Sequence, residues 1–402
     1  MPRRRRDGLI GLGAAVAALA VFSGCQAESG DVGCQVAREI SLPDTTPLSL
    51  LPNVRAHRLG SGLVLIGSDA TAVRWLPIDE NGVAGTEQAL PLPAGTLEVH
   101  TALAGASAAG DRIIVGLLTP AATGSATELH FISAPTDGTP APLPGPAVLT
   151  FPAGVVPVVT MGTTKSAMIA GLGWMDPAVE MPKYAFADGQ GGIVDQAMSF
   201  VDALESAAGY GCLGFTTGEG EATLSYLRYP NVTPAPPTWV IADVGPSTGV
   251  ATLTLTVSQP GADMIGCALT VPTTVPGGYA MVWQDYSGSW LSVYYGPPAN
   301  QVRSYPFASS TDFGGPDLQP PLRGLAAFGS DYAVVLERTL SVELWRLDGG
   351  GRRRNGALVF PSEAGDPGPV SSVTRSGLLT STYADFTGAS TGRRIVIDAQ
   401  CY

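Results

Sequence analysis

The chain contains few residues of the types that usually perform chemistry. Its three histidines are His57, His100 and His130, and no two have the close spacing at which one element binds zinc. The sequence also lacks the Gly-x-Ser-x-Gly elbow of α/β-hydrolases, the Walker loop and the dinucleotide fingerprint. We therefore predict no metal site and no cofactor, and the sequence assigns no catalytic residue.

Carboxylates are more numerous, with 34 Asp and Glu residues in all. A pair of carboxylates is the acid–base machinery of most glycosidases, and in a repeat protein the two members can come from distant units. No spacing selects two among them, so a hydrolase or lyase stays open as an alternative.

The amino terminus has the pattern of an export signal. A basic cluster at 3–6 precedes an apolar run at 9–22, which is too short to span a membrane comfortably, and Ser23, Gly24 and Cys25 follow. This end resembles the lipobox of bacterial lipoproteins. The resemblance implies that residues 1–24 are a signal peptide, that Cys25 carries diacylglycerol and palmitate, and that 25–33 form a short tether. Gln26, in place of aspartate, favours the outer membrane or cell surface.

The body of the chain repeats one unit, which is clearest at 277–296. There an apolar run with β-branched and aromatic residues, a polar turn with glycine and a second such run predict an antiparallel hairpin. Seven such units occur, and their ranges are 62–82, 111–138, 166–189, 211–231, 277–296, 330–350 and 376–402.

A repeat period of about 50 residues is typical of propellers and arrays. The chain resembles β-propeller proteins in general and no propeller family in particular. The resemblance implies one all-β domain over 34–402, a seven-bladed propeller, with six or eight blades as the alternative. Each hairpin would supply the two middle strands of a blade. One stretch, 193–208, has helical spacing and is predicted to be a helical insertion.

Four cysteines remain when Cys25 is set aside, and an even number in an exported protein indicates two disulfides. Because a propeller must join its first and last blades, we expect a Cys34–Cys401 bond in a blade shared by both termini. Cys212 and Cys267 would then pair near the inner strands of adjacent blades.

The formal net charge of −12 argues against nucleic acid as a partner. Aromatic residues could form a sugar- or peptide-binding face, although we expect most of them to pack in the core: Trp174, Trp283, Trp290, Tyr294, Tyr295 and Trp345.

Three functions are compatible with these features. The first is a lipid-anchored binding or scaffold protein with a protein or glycan ligand, since the chain has an anchor and no catalytic motif. The second is an exported hydrolase or lyase with carboxylates at the propeller axis. The third is an assembly factor for outer-membrane proteins. We expect a non-enzymatic protein, and the side chains lining the axis should discriminate among the three.

Overall fold

A computed structural model describes most of the chain from Cys34 onward. The described ranges are 34–42, 46–51, 53–107, 110–122, 124–137, 147–153, 157–164, 169–176, 181–196, 207–216, 222–230, 238–245, 248–256, 264–299, 301–354, 356–361, 371–375, 378–388 and 391–401.

These residues form seven four-stranded antiparallel sheets, which are the blades of a β-propeller. The first strand of each sheet contacts the first strands of its two neighbours, so that seven inner strands close a ring. The fold is therefore the seven-bladed propeller that the repeat predicts.

The first four blades follow one another along the chain. Blade 1 contains β2 (Arg55–Leu59), β3 (Gly62–Ser68), β4 (Ala72–Ile78) and β5 (Gln88–Pro91). Blade 2 contains β6 (Glu98–Ser107), β7 (Gly110–Pro120), β8 (Thr127–Pro135) and β9 (Leu149–Phe151). Blade 3 contains β10 (Val159–Thr163), β11 (Ile169–Asp176), β12 (Met181–Asp188) and β13 (Ile193–Gln196). Blade 4 contains β14 (Ala207–Thr216), β15 (Ala222–Pro230), β16 (Thr238–Gly245) and β17 (Thr248–Thr256).

The last three blades include one strand from the start of the body. Blade 5 contains β18 (Met264–Pro272), β19 (Tyr279–Asp285), β20 (Gly288–Tyr294) and β21 (Val302–Ser309). Blade 6 contains β22 (Leu322–Phe328), β23 (Asp331–Arg338), β24 (Ser341–Leu347) and β25 (Leu358–Pro361). Blade 7 contains β26 (Ser371–Arg375), β27 (Leu378–Gly388), β28 (Thr391–Cys401) and β1 (Cys34–Leu42). Short 3₁₀ helices lie at Pro47–Leu50, Ser310–Phe313 and Pro316–Leu318.

The ring closes through the two ends of the body. Strand β1 is the outermost strand of blade 7 and pairs with β28 in a register that sets Cys34 opposite Cys401 and Leu42 opposite Arg394. The expected sharing of one blade by the two termini is thus confirmed at the backbone level. This pairing ties the start of the body to its last blade through backbone hydrogen bonds.

Hydrophobic packing lies between the blades. Seven clusters of buried apolar side chains are found among the described residues, one at each junction of adjacent blades. Because side chains alternate between the two faces of a strand, each blade contributes to both of its neighbours. The ring is therefore held by apolar contact at every junction.

Two expectations about single elements are wrong. Cys212 and the run after it belong to the innermost strand β14, so the middle strands of blade 4 are β15 and β16. An apolar run, a turn and a second run fit any antiparallel neighbours in a blade, and so the pattern does not distinguish inner from middle pairs. Ile193–Gln196, predicted to begin a helix, is strand β13, because its edge pairing with β12 overrides local helical spacing. The remainder of the predicted helix falls on 197–208, of which only 207 and 208 are described, in β14.

Within the described part of the chain, no helix has the length and apolar composition needed to cross a membrane.

Candidate functional site

A polar cleft of about 550 Å³ opens between blades 1 and 2, at the edge of the ring where β2 and β6 begin. We call it the Arg55 cleft. Polar side chains line it from both blades, and they are Asn53, Arg55, Ser68, Asp69, Thr96, Glu98, His100 and Thr101. Apolar side chains of the inter-blade core, including Ile66 and Val99, complete the wall.

The register of β2 explains how two functional side chains reach this junction. Arg55 lies opposite Ile66 and His57 lies opposite Val64 on β3. Directly opposed residues share one face of a sheet, and Val64 and Ile66 pack in the core between blades 1 and 2. Arg55 is therefore at the open end of that face, and His57 lies two residues deeper.

Arg55 is the charged group of the cleft that no described residue neutralises. Its side chain is exposed, and it has no hydrogen bond or ion pair with any residue that the structure describes. The surrounding protein still removes part of the hydration of the guanidinium, and this desolvation lowers the pKa of Arg55. An unpaired, partly desolvated cation is a ready partner for an anion.

Burial lowers the pKa of both histidines near Arg55 and so favours their neutral form. Burial and then the charge of Arg55 lower the pKa of His57 to about 4, and its Nε2 has no hydrogen-bond partner among the described residues. Burial also lowers the pKa of His100, with Arg55 acting in the same direction and Glu98 opposing. His100 Nε2 lies 3.1 Å from Glu98 Oε2.

The Glu98 contact orients the imidazole of His100. In the neutral ring the nitrogen facing the carboxylate carries the proton. The other nitrogen, Nδ1, then keeps a lone pair that can accept a hydrogen bond or a proton. His100 and Glu98 therefore form a carboxylate–imidazole pair.

Asp69, in contrast, is fully engaged by its own turn. Its Oδ1 accepts hydrogen bonds from the amides of Thr71 and Ala72 and from the Thr71 hydroxyl, and Arg74 lies 3.5 Å from Oδ2. The Thr71 hydroxyl is the largest of the influences that lower the pKa of Asp69 to about 2. Asp69 shapes the cleft, and its charge is already compensated.

The described inner strands bear on whether a pair of carboxylates lies at the propeller axis. Glu98 is the one carboxylate among the seven inner strands within their described bounds. A carboxylate pair on those strands is therefore not formed, and the charged groups at this junction are an arginine and a histidine–glutamate pair. The described residues contain no group of three or more side chains suited to hold a metal ion.

The structure places the cysteines as follows. Cys25 lies outside the described residues, so its lipidation stays a prediction. Cys34 is disulfide-bonded. Cys401 lies opposite it in the β1–β28 register, and a bond between these two residues stays a prediction. Cys212 and Cys267 lie on β14 and β18, the contacting inner strands of blades 4 and 5. Their side chains are not among those described, and their pairing is also still a prediction.

The aromatic residues serve mainly as core. Trp174, Trp283, Tyr294 and Trp345 are buried, whereas Trp290 and Tyr295 are half-buried. Trp283 and Trp290 stack with ring centroids 5.5 Å apart, and Arg353 covers the Trp345 ring at 3.8 Å. The aromatic residues of this set therefore pack against one another and against neighbouring side chains.

Sequence reasoning noticed the histidines and missed the cleft. A charged residue precedes both His57 and His100 by two positions, and each pair falls just before a predicted hairpin, where an inner strand must lie. That shared pattern was the available signal. The spacing of zinc ligands does not reveal this pattern, because the two pairs belong to different blades.

Comparisons with known proteins show the fold. No protein-family model and no curated protein matches the sequence. Among solved structures, a polysaccharide lyase aligns with a TM-score of 0.54 and 10% identity, covering 91% of this chain and 99% of its own. Hydrazine synthase from Kuenenia stuttgartiensis aligns at 0.51 and 10%, covering 87% and 96%. At such low identity these likenesses establish that the chain has a propeller fold, and they leave its activity open.

Proposed function

We propose that the protein is an exported, lipid-anchored binding protein that holds a carboxylate-bearing glycan in the Arg55 cleft. The observation that carries this proposal is the guanidinium of Arg55 at the mouth of a polar cleft, which pairs with no side chain that the structure describes. Arginine binds carboxylates through two parallel hydrogen bonds, which neither a neutral sugar nor a cation can accept in the same way.

The other lining groups suit a sugar. Ser68 and Thr101 provide hydroxyls, and Asn53 provides an amide that is bonded to Ser68. Ser68 and the Asn53 amide lie beside the apolar wall formed by Ile66 and Val99. Polar groups that fix the orientation of a ligand beside an apolar surface are typical of small-ligand sites. The export signal and Cys25 support a location at the outer membrane or cell surface, where such glycans are met.

Calorimetric titration with an oligogalacturonate and with a neutral oligoglucose of equal length tests the proposal. We expect the acidic oligosaccharide to bind and Arg55→Gln to weaken its binding about tenfold to a hundredfold, since a charge-assisted hydrogen bond contributes about 1.5–3 kcal/mol.

Arg58→Gln is the matched control, because Arg58 lies on the same strand, is exposed and bonds to the carbonyl of Gly60. It should bind like the parent. Equal affinity for the acidic and the neutral sugar, or equal loss in both variants, would contradict an arginine–carboxylate contact in this cleft.

A second candidate function is favoured by the His100–Glu98 pair beside Arg55. It is β-elimination on a uronate, the reaction class of a lyase. The Nδ1 of His100 would take the proton from the carbon next to the carboxylate, while Arg55 stabilises the negative charge that develops there. The carbon–oxygen bond at the next carbon then breaks, its electrons leave with the oxygen, and solvent supplies the proton to that oxygen.

The two candidates give different results with His100→Gln. If the cleft only binds, the acidic oligosaccharide stays unchanged and this variant binds it with little loss. If the cleft catalyses elimination, the parent protein generates the ultraviolet absorbance of a double bond conjugated with a carboxylate. His100→Gln should then abolish that signal and keep the binding.

A further inference from the structure

Arg394 is a second cation that has no counter-ion in the described part of the chain, and it is far more deeply placed than Arg55. It lies on β28, opposite Leu42 of β1 and Ala384 of β27, and its relative exposure is 0%. Its Nη2 donates a hydrogen bond to the carbonyl of Leu51, just after the 3₁₀ helix Pro47–Leu50. The side chain therefore joins blade 7 to the segment that leads into blade 1.

The rest of this guanidinium has nothing to bind among the described residues. Nε and Nη1 of Arg394 have no hydrogen-bond partner there, and no carboxylate forms an ion pair with the side chain. Burial lowers the pKa of Arg394 to about 9, which leaves the group charged at neutral pH. A buried and uncompensated charge is strongly destabilising unless an anion or other polar groups accompany it.

Two further buried side chains with unpartnered oxygens belong to the same junction. Thr382 on β27 lies opposite Val396, and a period of two puts Thr382 on the face of blade 7 that also carries Arg394. Val396 packs with blade 1, so this face is the one turned toward blade 1. Ser49 belongs to the 3₁₀ helix Pro47–Leu50, which contacts both β27 and β28.

The hydroxyls of Ser49 and Thr382 are unpartnered in the described part of the protein, and both residues are fully buried. Each hydroxyl can donate one hydrogen bond, as can Nε and Nη1 of Arg394. Four unused donors and one positive charge thus lie at the junction that closes the ring.

We propose that this junction binds a small monovalent inorganic anion, of which chloride is the available example, between Arg394 and the hydroxyls of Ser49 and Thr382. One charge matches the single guanidinium. The donors are buried, which excludes a large organic ligand. The anion would bridge blade 7 to the segment entering blade 1, and so it would contribute to closure of the ring independently of the Arg55 cleft.

Thermal unfolding in sodium chloride and in sodium gluconate of equal ionic strength is the first test. A ligand that binds only the folded state raises Tm as its concentration increases above its Kd. We expect chloride to raise Tm by about 2 °C or more relative to gluconate. Arg394→Met, which keeps most of the volume and removes the charge, should abolish the difference, and Thr382→Val should reduce it.

Arg58→Gln is the control, since it removes an exposed arginine of blade 1 that is bonded to the carbonyl of Gly60, and it should leave the chloride effect unchanged. A crystal grown in sodium bromide gives a second readout on the parent protein, which stays decisive even if Arg394→Met fails to fold. An anomalous peak within hydrogen-bond distance of Arg394 supports the site. Equal Tm values in the two salts, or water in place of bromide, would overturn the proposal.

Discussion

His57 is buried beside a permanent positive charge, and its imidazole is therefore kept unprotonated. Because burial disfavours the protonated form of His57, it also makes the stability of the folded protein sensitive to acid. Its folded-state pKa of about 4 lies below the ordinary value of 6.5. Because the unfolded chain takes up the proton first, stability is fully present above pH 6.5 and is lost as the pH falls toward 4.

We expect His57→Phe to remove this sensitivity. Between pH 7.5 and 4.5 the parent should lose about 2–3 kcal/mol of unfolding free energy more than the variant does, at about 1.36 kcal/mol per pH unit. Urea unfolding of both proteins at the two pH values measures the difference. Parallel losses in parent and His57→Phe would show that another group is responsible.

At the scale of the element, the junction between blades 3 and 4 depends on glycines. Phe215 of β14 packs on Gly162, Gly171 and Gly173, which lie on β10 and β11. A Cβ at Gly171 would overlap the ring of Phe215. The ring fills the space that side chains at these positions would otherwise occupy, so the strands of one blade and an aromatic of the next fit together as a unit.

Gly171→Ala should therefore destabilise the protein by about 1–3 kcal/mol, because added volume in a close-packed core forces strain on its neighbours. Chemical denaturation gives the free energy directly. Gly85→Ala is the matched control, since a Cβ there makes only ordinary contacts and Gly85 is exposed. A loss at Gly171 no larger than that at Gly85 would mean that the ring of Phe215 moves aside at little cost.

The elements also show where reading the sequence succeeds. The middle strands of blades 1, 2, 3, 5, 6 and 7 match the predicted hairpins to within one residue, because each hairpin is a local pattern of apolar runs around a turn. Blade 4 was misassigned because β14, with its small residues and irregular register, looked like a middle strand beside β15. The Arg55 cleft is formed by two inner strands that belong to separate blades. A local sequence pattern does not predict that these two strands lie side by side.

At the scale of the whole molecule, closure by two chain ends makes the β1–β28 pairing a weak point unless it is locked. We predict that Cys34→Ser lowers stability by upwards of about 4.7 kcal/mol, the chain-entropy estimate for a loop of about 100 residues, because the Cys34–Cys401 loop is much longer. Thermal unfolding measures the change. Cys401→Ser should cost as much, and the double variant no more than either single one.

Non-reducing peptide mapping supplies the direct check on this pairing. A peptide linking Cys34 to Cys212 or to Cys267 would contradict both the assignment and the idea that the bond secures the terminal blade. A Cys34–Cys401 peptide together with a Cys212–Cys267 peptide is the expected result.

Membrane attachment is a property of the chain as a whole and is predicted to depend on Cys25. In Cys25→Ala the protein should move from the membrane fraction to the soluble fraction, since the acyl chains supply the anchoring energy at about 0.8 kcal/mol per buried methylene. Fractionation with immunodetection measures this. Ser23→Ala, which keeps a small residue before the cysteine, is the control and should stay membrane-bound. A Cys25→Ala protein that remains with the membrane would place the anchor elsewhere.

The direction of β1 determines at which face of the propeller the chain enters, relative to the Arg55 cleft. In blade 7, Leu42 pairs with Arg394 toward the edge where inner strands begin, whereas Cys34 pairs with Cys401 at the opposite edge. The chain thus enters the propeller on the side away from the cleft. With Cys25 anchored as proposed, residues 25–33 can hold that entry point no more than about 30 Å from the bilayer. A polymer that binds in the cleft would then meet the propeller on the face opposite the one at which the chain enters.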